Sequence, residues 1–205
     1  DKLATQVEKP DAQQQADIRA HPVRGSMMLT SLGIADDLWL EVISSHHDDA
    51  VDKHELHKVP PATRLARILK MVDRYAAMIS PRLSRAGRSA TESARALMAN
   101  ASAKSDEIGH ALLRVVGLYP PGTFVRLDND ELAVVVHRSA SANQPYIAVL
   151  GSAAGELLAA PRLHNTAHAA PHIRTALAAS SVRARLNHFH ILRLSAAAGQ
   201  EQTSA

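Results

Sequence analysis

Adjacent His46 and His47, followed at once by Asp48 and Asp49, form the densest grouping of metal-type ligands in the chain. Imidazole and carboxylate together suit Fe, Mn, Zn or Ni. Neighbours on a helix point about 100° apart, so the two rings can serve two ions or two sides of one site. The alternative is a polar helix end, where histidine also favours the dipole. His21 stands before Pro22 and alone reads as a structural or exposed histidine. Asp73 lies between Ile68, Leu69, Met71 and Val72 on one side and Ala76, Ala77 and Met78 on the other. A carboxylate in such company is expected to hold a cationic partner, with Arg67, Arg74 or Arg82 as candidates. His164, His168 and His172 recur at steps of four, but Pro171 breaks a regular helix there, and the spacing reads as incidental. His54-Glu55-Leu56-His57 places its histidines three apart, whereas the zincin motif needs four. P-loop, nucleophile-elbow and dinucleotide fingerprints are absent from the sequence.

The elements that must position these residues are mostly helical. Asp11 is an N-cap for a helix from Ala12 to Ala20. Pro22 is expected to interrupt it before it resumes to about Leu32, with Gly33 as the stop. Asp36 caps a second helix, Asp37 to about His47. Residues 48–60 read as a loop. Pro61 opens a third helix, along which Leu65, Ile68, Leu69, Val72 and Tyr75 form an apolar stripe to about Ile79. After an arginine-rich turn, Thr91, Ala94, Leu97 and Met98 mark a short helix. Ser105 caps another, which Gly117 ends. Tyr119-Pro120-Pro121-Gly122 is a rigid turn. Strands are expected at 123–127, 132–137 and 146–150, the first two joined at Asp128-Asn129-Asp130. A helix is expected from about Ile173 to His188.

Composition narrows the chemistry. The chain of 205 residues, 46% hydrophobic with only 3% aromatic, must build an aliphatic core. Cysteine is absent, which excludes disulfides, thiolate metal sites and a Cys nucleophile. No apolar run is long enough to span a bilayer, so membrane insertion is not expected. The net charge of +3 hides an asymmetry: from Leu157 to Gln200 there is no acidic residue but five arginines. Such a segment can meet nucleic acid, an acidic protein or an anionic membrane; the plainer reading is a solvated alanine-rich extension. Specific nucleic-acid recognition is not expected, because no reading motif or aromatic stacking platform accompanies it.

One resemblance binds the scattered ligands together. His21-Pro22, then His46-His47, then Asp73 within Arg67-Ile68-Leu69-Lys70-Met71-Val72-Asp73-Arg74-Tyr75, is similar to the HD-GYP family of metal-dependent phosphohydrolases, which reads roughly HP…HHE…ARILAVADVYDAL. Downstream, Val116-Gly117-Leu118-Tyr119-Pro120-Pro121-Gly122-Thr123-Phe124-Val125-Arg126-Leu127, continuing through Glu131 to Val136, resembles the family's VGIYPPGTLVRLSDGEIAVVV. The resemblance implies a helical domain with two or three metals, often iron, that hydrolyses cyclic di-GMP, a bacterial second messenger. It puts His21, His46, His47 and Asp73 on metal-ligand positions, with Fe or Mn as the divalent metal. It also puts Arg82 and Arg85 on positions that hold substrate phosphates. Guanidinium suits phosphate through bidentate charge-assisted bonds.

The sequence departs from the family in defined places. The His-Asp dyad expected upstream of His21 is not within this chain. Residues Asp48 to Lys58 contain no Gly, Tyr or Pro where the GYP loop should follow. Asp48, Ala76 and Ser84 replace a Glu, an acid and a Tyr. The chain alone is therefore expected to be inactive or nearly so. An inactive module for protein interaction or nucleotide sensing in a bacterial signalling protein is the alternative. Cyclic di-GMP or signalling proteins are the expected partners, and the cytoplasm the expected location. The fold is expected to be mainly α, a helical HD-type domain with a small C-terminal antiparallel sheet. The domain would span 1–140, a third strand and connector 141–163, and an Ala/His/Arg-rich tail 164–205.

Overall fold

Local capping chemistry sets the helical part. A computed structural model describes residues 2–48, 55–99, 106–141, 143–183 and 186–204 of the chain. A single turn of helix, α1, spans Lys2–Thr5. Helix α2 spans Ala12–Ser31 and opens on a capping box: Gln14 donates its backbone N–H to the Asp11 carboxylate, and the Gln14 side chain accepts from the Asp11 backbone. It ends at Gly33, whose φ of 84° is the left-handed stop. The expected break at Pro22 does not occur, and α2 runs through it. An interior proline costs about 3 kcal/mol in lost hydrogen bonding and ring crowding, so packing and side-chain bonds must offset it. Asp36 accepts from the Trp39 N–H at 2.9 Å and starts α3, Asp37–Ser45. A 3₁₀ turn covers Leu56–Lys58, and α4 spans Pro61–Ile79. Helices α5, Ala90–Ala99, and α6, Asp106–Val116, follow. Gly117, with φ 79°, stops α6 as expected. Ser105, expected to cap α6, and residues 49–54 of the expected loop lie outside the described residues.

The expectation of a mainly α fold is overturned. The described residues are 50% helix and 17% strand, and the fold is mixed α/β. Its sheet has five antiparallel strands in the order β4 (Leu157–Asn165), β3 (Tyr146–Gly151), β2 (Leu132–His137), β1 (Phe124–Leu127) and β5 (Ile173–Leu177). Strands β1 (Phe124–Leu127), β2 (Leu132–His137) and β3 (Tyr146–Gly151) fall where period-2 patterning and turn chemistry predict. Asp130, with φ 66°, turns β1 into β2. Strands β4 (Leu157–Asn165) and β5 (Ile173–Leu177) come from residues read as connector and tail. Among the described residues the expected helix at 173–188 is not formed: its first residues are β5, and a 3₁₀ turn follows at Ala179–Ser181. The reason is physical. Both are edge strands, and residues 157–160 of β4 are exposed on both faces, so neither carries the alternation that marks a half-buried strand.

The described residues divide into two compact units. The first holds Asp1–Met78, Arg82–Arg85 and Ala96–Leu112. Within it, α2 and α3 form a helical hairpin. A Cβ at Gly25 would lie 3.3 Å from the Ile43 side chain, and Ser26 Oγ donates to the Leu40 carbonyl at 3.2 Å. The absent side chain at Gly25 lets the two backbones approach. The stripe on α4 is less buried than its periodicity implies: Leu65, Ile68 and Val72 line an apolar cavity of about 440 Å³ with Leu38, Trp39 and Val42 of α3. The second unit contains the sheet. Val125, Leu127, Ala133, Val135, Ile147 and Val149 pack on one face. On the other, Val134, Val136, Tyr146, Ala148 and Leu150 pack against Ala198 of α7, His188–Ser204.

Candidate metal centre

Three segments of the first unit bring the sequence-predicted ligands together. His21 comes from the middle of α2, His46 and His47 follow the last turn of α3, and Asp73 comes from α4. The hairpin pairs 21 with 46, 25 with 43 and 26 with 40, so the close approach at Gly25 also delivers His21 to His46. One ligand atom from each of the four residues lies within 4.8 Å of every other. The ring centroids of His21, His46 and His47 are 4.4 to 5.1 Å apart. His47 Nε2 stands 3.5 Å from Asp73 Oδ2. His47 is thus one partner of Asp73, whose carboxylate is half-buried. His46 is 5% exposed and forms the floor of the group.

Hydrogen bonds fix which nitrogens face inward. His21 Nδ1 is 2.6 Å from the Ile18 carbonyl, and His46 Nδ1 is 2.7 Å from the Ile43 carbonyl. A carbonyl oxygen can only accept, so each Nδ1 carries the proton and each Nε2 of a neutral ring bears a lone pair. Those two Nε2 atoms face each other at 3.2 Å. Two facing lone pairs repel unless a proton or a cation lies between them. Two nitrogens bound to one ion at about 2.0–2.1 Å stand roughly 3.0–3.4 Å apart, which fits the observed separation. The donor set, three imidazoles and one carboxylate, is also the borderline set that divalent transition ions prefer. The residues present therefore fit a metal ion.

Electrostatics act in the same sense. The His47 imidazole is held below its ordinary pKa of 6.5, first by burial and then by the nearby His46 and His21 rings; Asp73 opposes the shift. Lys70 adds a smaller push in the lowering direction. A depressed pKa keeps the ring neutral near neutrality, the state that can ligate. Lys70 was not singled out in the sequence, although its position one turn before Asp73 on α4 was a readable signal.

The other predicted site residues behave differently. Arg82 and Arg85 lie on a tight turn, each backbone N–H donating to the other's carbonyl at 2.9 and 3.0 Å. Both side chains are exposed. Arg85 also donates through Nη2 to the Ala77 carbonyl in the last turn of α4. His164 bonds the Ala169 and Pro171 carbonyls, and His172 Nδ1 bonds the Thr166 carbonyl, in keeping with the incidental reading of that series.

Comparison with known proteins adds one relative. A cyclic di-GMP phosphodiesterase of Pseudomonas aeruginosa is 28% identical over 123 residues, which cover 59% of this chain and 30% of that protein. The chain thus spans under a third of that relative's length. No family profile and no solved structure matches the chain. Among the described residues, no helix is long and apolar enough to cross a membrane.

Proposed function

We propose that this chain carries the metal-binding core of a signalling phosphohydrolase of the HD-GYP type that acts on cyclic di-GMP. His21, His46, His47 and Asp73 hold a divalent ion, with Fe or Mn as the metal. The observation that carries this reading is the pair of Nε2 atoms facing each other at 3.2 Å, with both Nδ1 protons committed to carbonyls. The P. aeruginosa relative, named a cyclic di-GMP phosphodiesterase, supports the substrate class.

A divalent ion bound there supplies Lewis acidity toward a phosphoryl oxygen and lowers the pKa of a bound water. The protein's own residues orient and position. His46 is fixed by the Ile43 carbonyl and by burial, and His21 by the Ile18 carbonyl. Asp73 offers its carboxylate on a rigid helix, and His47 stays neutral. Arg82 and Arg85 grip the substrate phosphates from their turn. Four ligands suffice for one ion, whereas the in-line two-metal clamp needs ligands for two. Turnover by this chain is accordingly slow or absent, and binding is the readout of choice.

The test is cyclic di-GMP binding by calorimetry with Mn²⁺ present. Binding should require the metal and should weaken in Arg82→Ala/Arg85→Ala by about 1.5–3 kcal/mol per lost charged hydrogen bond. Binding that survives both chelation and the double substitution sinks the proposal. Hydrolysis abolished both by chelation and by His46→Ala would instead show that four ligands are enough for turnover.

A further inference from the structure

Pro22 is a costly residue in the interior of a 20-residue helix, and it is buried next to an exposed ligand candidate. In an unbroken helix the N–H at position 22 would donate to the carbonyl at position 18. Proline has no N–H, so it leaves the Ile18 carbonyl without its helical donor. The His21 ring fills that vacancy: its Nδ1 lies 2.6 Å from Ile18 O. The other inward-facing ring shows the same device built differently. Ile43 lies in the last turn of α3, where carbonyls have no partner within the helix, and His46 Nδ1 takes that carbonyl at 2.7 Å. In both cases a carbonyl released by the helix accepts the Nδ1 proton and turns a bare Nε2 toward the partner ring.

We propose that Pro22 is a positioning residue: by freeing the Ile18 carbonyl it locks His21 in the Nδ1–H tautomer and aims Nε2 at His46. The inference rests on the reading that these residues hold a metal, because only a ligand needs its lone pair so directed. Outer partners of this kind set ring orientation and tautomer and tune affinity for the ion. Restoring an N–H at position 22 returns a backbone donor to Ile18 O, in competition with the ring.

Two measurements on the full chain separate the inference from the reading beneath it. The first is the nitrogen-15 spectrum of the histidine side chains in metal-free protein, at a pH where the rings are neutral, with His21 assigned through His21→Ala. In the wild type His21 should show a protonated Nδ1. In Pro22→Ala it should shift toward protonation at Nε2, while His46, whose Nδ1 partner is the Ile43 carbonyl and owes nothing to Pro22, keeps its Nδ1–H tautomer as an internal control. An unchanged His21 tautomer in Pro22→Ala overturns the proposal. Loss of the Nδ1–H tautomer in both histidines also overturns it, because the substitution would then act through the fold. The second is Mn²⁺ and Zn²⁺ affinity, which Pro22→Ala should lower about 10- to 100-fold. Wild-type protein that binds neither ion refutes the metal reading and, with it, the purpose assigned to Pro22. Affinity retained in Pro22→Ala after a tautomer shift refutes the inference and leaves the metal reading standing.

Discussion

At the scale of single residues, protonation links the candidate centre to stability. The folded His47 ring has a lower pKa than an unfolded imidazole, mainly through burial and the adjacent rings. Between that lowered value and about 6.5, the unfolded chain therefore binds more protons than the folded one, and stability rises with pH. Metal-free protein should lose stability as pH falls from neutrality through about 6.5, with a shallower slope in His47→Gln. Urea midpoints across that range measure it, and equal slopes for the two proteins would contradict the assigned cause. The sequence made the ligand types legible at His21, His46, His47 and Asp73. Their meeting point was not legible from spacing, since three segments spread along about 50 residues converge, and only the family resemblance linked them. Ring orientation was less legible still. It depends on the carbonyls of Ile18 and Ile43, which no pattern of side chains records.

At the scale of elements, chain-terminating chemistry was the readable part. Asp11, Asp36, Pro61, Gly33 and Gly117 each start or stop a helix as their types predict. The capping box before α5 went unread, although Ser89-Ala90-Thr91-Glu92 spells it. Glu92 N donates to Ser89 Oγ at 3.2 Å, and Ser89 N donates to the Glu92 carboxylate at 3.0 Å. These bonds from Ser89 hold the Glu92 carboxyl below its usual range. Ser89→Ala should cost about 1 kcal/mol, as lost N-caps do. A thermal or urea melt checks it, and no change would mean that the first turn of α5 is held by packing alone. Pro22 shows where local rules mislead. A proline predicts a helix break, but here the released carbonyl finds a side-chain donor and the helix continues.

At the scale of the whole molecule, the residues read as a basic tail belong to the sheet. Arg174 pairs with Asp130 at 2.5 Å, and Arg162 approaches Glu131 at 3.6 Å. Two of the five arginines thus neutralise the acidic turn between β1 and β2. Strand β5 pairs with β1, and α7 covers one sheet face. Deleting residues 166–205 should abolish the cooperative unfolding of the sheet unit, because it exposes Val134, Val136, Ala148 and Leu150 and frees an edge. A truncated chain that melts like the full one would show that the last 40 residues are dispensable. The account as a whole stands on the four converging candidate ligands, and metal stoichiometry tests it most directly. Elemental analysis after Mn²⁺ or Fe²⁺ loading and desalting should find one ion per 205-residue chain. His46→Ala, which removes the buried imidazole at the floor of the group, should bring it close to zero. Equal metal content in the two proteins, or none in either, would contradict the metal centre.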